Sequence, residues 1–187
     1  MSRSAVRRLS ASAGIVRGPA LLPNWMESLF RFPNPVNEVS ARLVAGGVVV
    51  IALVILVFDQ PWLLAPLAYG FVARVLTGPT LSPLGQLVTR VVTPRLQVTP
   101  RLVPGPPKRF AQGIGAVVTV SAAILHFGFG LTGAAYVLLG VLVVAAGLES
   151  ILGFCIGCRV FALLMRWGVI PPEVCESCNN LVFDRVT

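Results

Sequence analysis

The stretch Leu43-Val-Ala-Gly-Gly-Val-Val-Val-Ile-Ala-Leu-Val-Ile-Leu-Val-Phe58 is unbroken apolar sequence. Extended back to residue 39, it supplies the roughly 20 residues a helix needs to cross a hydrocarbon core about 30 Å thick. Asp59-Gln60-Pro61 then makes a tight tip. A second run, 62–76, is shorter and interrupted by Pro66, with Trp62 placed as an interfacial anchor. Proline within a span is tolerable because neighbouring groups can satisfy the freed carbonyl. A third run covers 111–127, Gly128-Phe129-Gly130 forms another tip, and a fourth run covers 134–154. The expected fold is therefore all-α: a polytopic membrane protein of four transmembrane helices in two hairpins.

Charge sets the expected orientation. The tips 59–61 and 128–133 contain no Lys or Arg, whereas the middle connection carries Arg90, Arg95, Arg101, Lys108 and Arg109, with Arg74 just before it. The N-terminal stretch (Arg3, Arg7, Arg8, Arg17) and the segment after Phe154 are basic too. Basic residues stay on the cytoplasmic side, so three independent segments place both termini there, in a multi-pass cell-membrane protein.

Composition agrees. Of 187 residues, 56% are apolar and 12% are charged, half the roughly 25% of a soluble domain. So much apolar surface needs lipid as part of its solvent. The net charge of +8 does not indicate nucleic acid, because the arginines flank apolar runs and no aromatic-studded basic groove is visible. The anionic inner leaflet is the fitting partner, at about 1 kcal/mol per basic residue near the surface.

Three regions follow. Residues 1–30 read as a basic, disordered cytoplasmic tail without the apolar core of a secretory signal; an Arg/Ser-rich transit peptide is the alternative. Residues 31–154 form the transmembrane region, with an interfacial loop at about 77–110, and 155–187 form a cytoplasmic segment. The loop is rich in proline, yet Leu84, Leu87, Val88, Val91 and Val92 recur at helical spacing. That predicts a short amphipathic helix in the interface; a strand pair or irregular loop is the alternative.

The cysteines carry the chemistry. Cys155, Cys158, Cys175 and Cys178 are spaced C-x2-C-x16-C-x2-C. Two such pairs at this separation are a zinc pattern, since each turn offers two thiolates and two turns close a tetrahedron. In a redox reading, each pair forms a disulfide or mixed disulfide, and Arg159 stabilises the thiolate. In a third, Cys155 and Cys158 are plain core residues, though the polar surroundings of the second pair argue against that. A single helix over 134–167 would run about 50 Å, too long for one crossing. A break near Gly153 or Gly157 is expected, placing Cys155 near a helix N-terminus that favours a thiolate. In a reducing compartment a permanent disulfide is not expected.

Glu149, inside the fourth run, should face the bundle and pair, with Arg42 and Arg74 at matching depth. His126, the only histidine, reads as an interfacial hydrogen-bonder rather than a metal ligand. Asn37 can cap the first span, with Glu38 favourable in its first turn. Gly153-x-x-x-Gly157 fits either close helix approach or a helix break. The chain has no phosphate-cradling loop, no Ser/His/Asp set and no paired carboxylates, which leaves thiols as its chemistry.

Four stretches carry a resemblance: Phe32-Pro-Asn-Pro-Val-Asn-Glu38, Gly105-Pro-Pro-Lys-Arg-Phe-Ala-Gln112, Leu148-Glu-Ser-Ile-Leu-Gly-Phe-Cys-Ile-Gly-Cys158 and Pro172-Glu-Val-Cys-Glu-Ser-Cys-Asn-Asn180. Over about residues 30–180 the chain resembles the domain of unknown function 4395 family of bacterial integral membrane proteins. The resemblance implies a small multi-span protein without an established activity, and a thioredoxin-like or rhodanese-like cytoplasmic partner. The functional expectation is a membrane-anchored thiol–disulfide or sulfur-relay protein using both CxxC pairs. The alternatives are a structural membrane protein whose four cysteines hold one zinc ion, and a small transporter of a sulfur species that depends on Glu149. Whether the protein is an enzyme stays open.

Overall fold

A computed structural model describes residues 33–96 and 99–175; the tail at 1–30 and Cys178 lie outside the described residues. Helix α1, Glu38–Phe58, starts as the sequence dictates: the Asn37 side chain accepts a hydrogen bond from Val39 N at 3.0 Å, and Glu38 sits in the first turn. It stops at Asp59, whose φ of 50° turns the chain away. One 3-10 turn, Pro61–Leu63, leads into α2, Leu64–Thr77.

The proline-rich connection is more ordered than its composition suggests. Ser82 Oγ accepts from Gly85 N at 3.2 Å and caps helix α3, which runs from Pro83–Leu87 through a π-helical turn, Val88–Val92, into Thr93–Arg95. The amphipathic spacing thus does make a helix. It docks on α1, where a side chain at Gly47 would meet Leu84 at 2.7 Å. The all-α expectation needs one correction. Val36–Asn37 (β1) and Leu102–Val103 (β2) pair antiparallel, and Glu38 N donates to Arg101 O at 2.8 Å. Val103 precedes Pro104, and a residue before proline is held extended, which favours a strand there.

Helix α4 begins at Gly105, not at residue 111. Gly105–Ala123 continues through a π-helical turn to Gly128. Pro106 and Pro107 fall in the first turn, where a missing N–H costs nothing and the fixed φ is already helical. Helix α5, Thr132–Leu152, ends at Gly153 with φ 68°. Helix α6, Ile156–Arg166, follows at once, and a final 3-10 turn covers Pro172–Cys175.

The helices pair across the hairpins rather than within the first one. Helix α1 packs mainly on α5 and α2 mainly on α4, while α4 also contacts α5 and α6. Small residues allow the close approach: Gly115 lies so near the Phe71 ring that an added Cβ would overlap it. The core runs through Val48, Ile55, Leu64, Phe71, Leu139 and Leu142. Outside, Val57, Val117, Val137, Val144 and Ile151 are exposed, an apolar belt rather than a polar shell. Helices Glu38–Phe58, Gly105–Gly128 and Thr132–Leu152 are long and apolar enough to cross a membrane; Pro61–Thr77 is apolar but shorter. The molecule is mostly helical, with three candidate spans.

The bundle has two unlike ends. At one, the tips without Lys or Arg meet, Tyr136 Oη donating to Asp59 Oδ1 and His126 Nδ1 sharing a hydrogen bond with Thr132 Oγ1 at 3.1 Å. At the other gather Arg42, Arg74, Lys108, Glu149 and the first cysteine pair.

Candidate functional site

The break between α5 and α6 builds the site. With Gly153 left-handed, its N–H bonds Glu149 O at 3.0 Å, the 5→1 bond that closes a helix C-terminus through an αL residue, and Phe154 N bonds Leu148 O at 3.1 Å. Cys155 is then extended and caps α6: its Sγ accepts from Cys158 N at 3.3 Å. A cap position normally wants an oxygen acceptor, and a thiolate there also gains from the helix dipole. Packing fixes the turn. A Cβ on Gly157 would lie 2.6 Å from Ala111 Cα, so only glycine lets α6 touch α4 here. The Phe110 and Phe161 rings add a tilted contact at 5.6 Å. Of the two sequence readings of the glycine pair, Gly153 serves the break and Gly157 the close approach.

Glu149 does face inward, but its partner is neither Arg42 nor Arg74. Lys108 Nζ lies 2.6 Å from Glu149 Oε1, with both side chains largely buried. The early start of α4 causes this: Lys108 stands in the first helical turn instead of in a loop. Arg42 turns to the end of α5, donating from Nε to Ser150 O at 3.2 Å and from a terminal nitrogen to Ile151 O at 2.7 Å. Arg74 is only 3% exposed, its guanidinium 4.4 Å above the Phe71 ring. Its Nε finds no hydrogen-bond partner among the described residues, and neither does Gln112 Oε1.

These groups surround a cavity of about 150 Å³ between α1, α2, α4 and α5, closed at one end by the α6 N-terminus. Arg74, Lys108, Gln112, Glu149 and Cys155 supply its polar lining; the rest is apolar. Cys155 is buried and lines this space, whereas Cys158 is more exposed.

The two thiols are unequal. The Cys158 thiol, donating its S–H to the Cys155 sulfur, holds the Cys155 thiol below its ordinary pKa, against burial and the Glu149 carboxylate; the Lys108 ammonium and the Cys158 backbone N–H help. Giving that hydrogen bond, and being buried beside a thiolate, pushes Cys158 far up. Cys155 is thus the more acidic thiol of the pair. The cation that helps is not the one the sequence suggested: Arg159 stands over the Phe154 ring at 5.1 Å, and the charge acting on Cys155 is Lys108.

Cys155 and Cys158 are free, and Cys175, also buried, is disulfide-bonded. The disulfide departs from the expectation for a reducing compartment. Among the described residues, no three His, Cys, Asp or Glu side chains converge as metal ligands, and a disulfide sulfur is not the thiolate that zinc requires. The sequence reading missed Lys108, Gln112 and the cavity itself. The signal available was the motif Gly105-Pro-Pro-Lys108, a proline-led helix start taken for loop.

A family model described as Domain of unknown function (DUF4395) matches residues 36–166, and the chain belongs to that family. No curated protein and no solved structure matches it.

Proposed function

We propose that this member of the family is a four-span membrane protein with both termini cytoplasmic, and that it performs thiol–disulfide exchange through Cys155 and Cys158. In this reading α2 is the fourth crossing, packed along α4, and the tail 1–30, the α3 connection and the segment 155–187 lie on the cytoplasmic side. Its support is the sorting of charge: both tips without Lys or Arg sit at one end of the bundle, the buried basic cluster at the other. A three-span arrangement would separate basic segments that the positive-inside rule keeps together.

The observation that carries the chemistry is Cys155 at the cap of α6, accepting the Cys158 N–H at 3.3 Å. Exchange runs fastest when the departing sulfur is a stable thiolate. With the pair oxidised, a thiolate on a soluble thioredoxin-like partner attacks Cys158, the more exposed sulfur. The Cys155–Cys158 bond breaks and Cys155 leaves as a thiolate. The partner's second thiolate then attacks its own sulfur in the mixed disulfide and frees Cys158. Two electrons pass from partner to protein, and the partner closes its disulfide. Cys175 and Cys178 form the second pair of the relay.

Titration of the purified full chain with glutathione redox buffers, followed by mass spectrometry, tests this. A reversible Cys155–Cys158 disulfide is expected. Thiols that stay reduced at every potential, with one zinc bound per chain, would remove the reading in favour of a structural metal site.

A further inference from the structure

The more buried sulfur of the pair faces the wrong way for a protein. Cys155 lines the internal cavity, and a space of about 150 Å³ admits no polypeptide. A cavity of that size holds one six-membered ring. Its walls include Val44, Val48, Val118 and Leu142, and its rim includes Ile114 on α4 and Val141 on α5, 40% and 58% exposed. Where α4 and α5 cross a bilayer, those two residues meet lipid, so the cavity opens sideways into hydrocarbon. From Lys108 to Val118 it covers about 15 Å of helix, from the cysteine end towards mid-span.

The polar groups narrow the ligand further. A buried guanidinium with an unpartnered Nε is costly, and a ligand oxygen would answer it. A small anion fits poorly: Lys108 is already paired with Glu149, and a Cys155 thiolate and the Glu149 carboxylate would repel it. A neutral ring with oxygen atoms fits well. Its carbonyl form accepts from Arg74, and its hydroxyl form donates to Gln112, whose Oε1 lacks a donor.

We propose that this cavity binds the ring of a lipid-soluble quinone, which enters between α4 and α5 and takes two electrons from Cys155 and Cys158. The step balances. Cys155 and Cys158 form one disulfide bond and release two electrons; the ring takes both, with one proton from the Cys158 thiol and one from cytoplasmic water, and becomes the hydroquinone. This rests on the exchange reading above and supplies its oxidant: electrons enter from a partner dithiol at Cys158 and leave into the membrane from Cys155.

The test uses the reduced full chain in proteoliposomes with decylubiquinone as probe. One hydroquinone per Cys155–Cys158 disulfide is expected. An azido-quinone should crosslink to α2, α4 or α5, and should still do so in the double variant Cys155→Ala/Cys158→Ala, which cannot react. Ala145→Phe, which fills the cavity, should lower the quinone rate at least tenfold while glutathione disulfide still oxidises the pair. Arg74→Met should do the same. If glutathione disulfide closes the pair but decylubiquinone is neither bound nor reduced, the quinone site is wrong and the exchange reading stands. If quinone crosslinks but no oxidant closes the pair, the exchange reading fails and electron transfer fails with it. Protection of Cys155 from alkylation by sulfite, and none by decylubiquinone, would put an anion in the cavity and overturn the proposal.

Discussion

The two ends of this bundle handle polar groups in opposite ways. At the tip end, hydrogen bonds are largely local and mostly exposed: Trp62 Nε1 to Gln60 Oε1 and Gln60 Nε2 to Phe58 O are exposed, and His126 to Thr132 is half-buried. At the cysteine end they join distant segments: Lys108 to Glu149, Arg42 to Ser150, Gly105 N to Asn34 Oδ1. Lys108, Arg74 and Cys155 are buried there. Exposed groups can fall back on water when a partner is lost; buried ones cannot. The contrast teaches that one end merely turns the chain, whereas the other holds buried charge beside a thiol.

Mutations should sort by end. The largest effect is expected for Lys108→Met, which strands the Glu149 carboxylate and should cost about 3 kcal/mol in detergent unfolding. Adding Glu149→Leu should restore most of it, since an apolar replacement of a buried pair is often neutral. A double variant as unstable as the single would break the comparison. Next comes Gly157→Val, expected to cost about 2 kcal/mol by overpacking against Ala111 and to slow Cys155 alkylation by tilting its cap.

These variants also mark where the sequence was legible. The run 43–58, the Asn37 cap, the break at Gly153 and Cys155 at a helix start follow from length, capping chemistry and the reach of a helix. The partners of buried charges do not. Matching depth along the sequence pointed Glu149 at Arg42 or Arg74, but α4 carries Lys108 to it, through a helix start hidden by prolines. Arg159 looked right for Cys155 by adjacency, yet helix geometry turns it onto Phe154. The β1–β2 pairing was unreadable because it joins two dipeptides some 66 residues apart with no alternating pattern to announce them. The cavity exists only in the packing of four helices.

Smaller effects sharpen the contrast. Asn37→Ala removes the α1 cap and should cost about 1 kcal/mol. At the tip end, Tyr136→Phe should change stability by less than about 0.5 kcal/mol, because water replaces the exposed Asp59 contact. A tip variant more damaging than Gly157→Val would show that the ends were misjudged.

The reactive inequality of Cys155 and Cys158 is tested most directly by alkylation with iodoacetamide across pH, read at each cysteine by mass spectrometry. Alkylation follows the thiolate, so its rate climbs as pH rises through the thiol pKa. Cys155 should react first, with its midpoint below that of a free thiol, and Cys158→Ala should move that midpoint up by removing the S–H donor while leaving the backbone N–H in place. Cys158 reacting first, or a Cys155 midpoint indifferent to Cys158→Ala, would contradict Cys155 being the more acidic thiol.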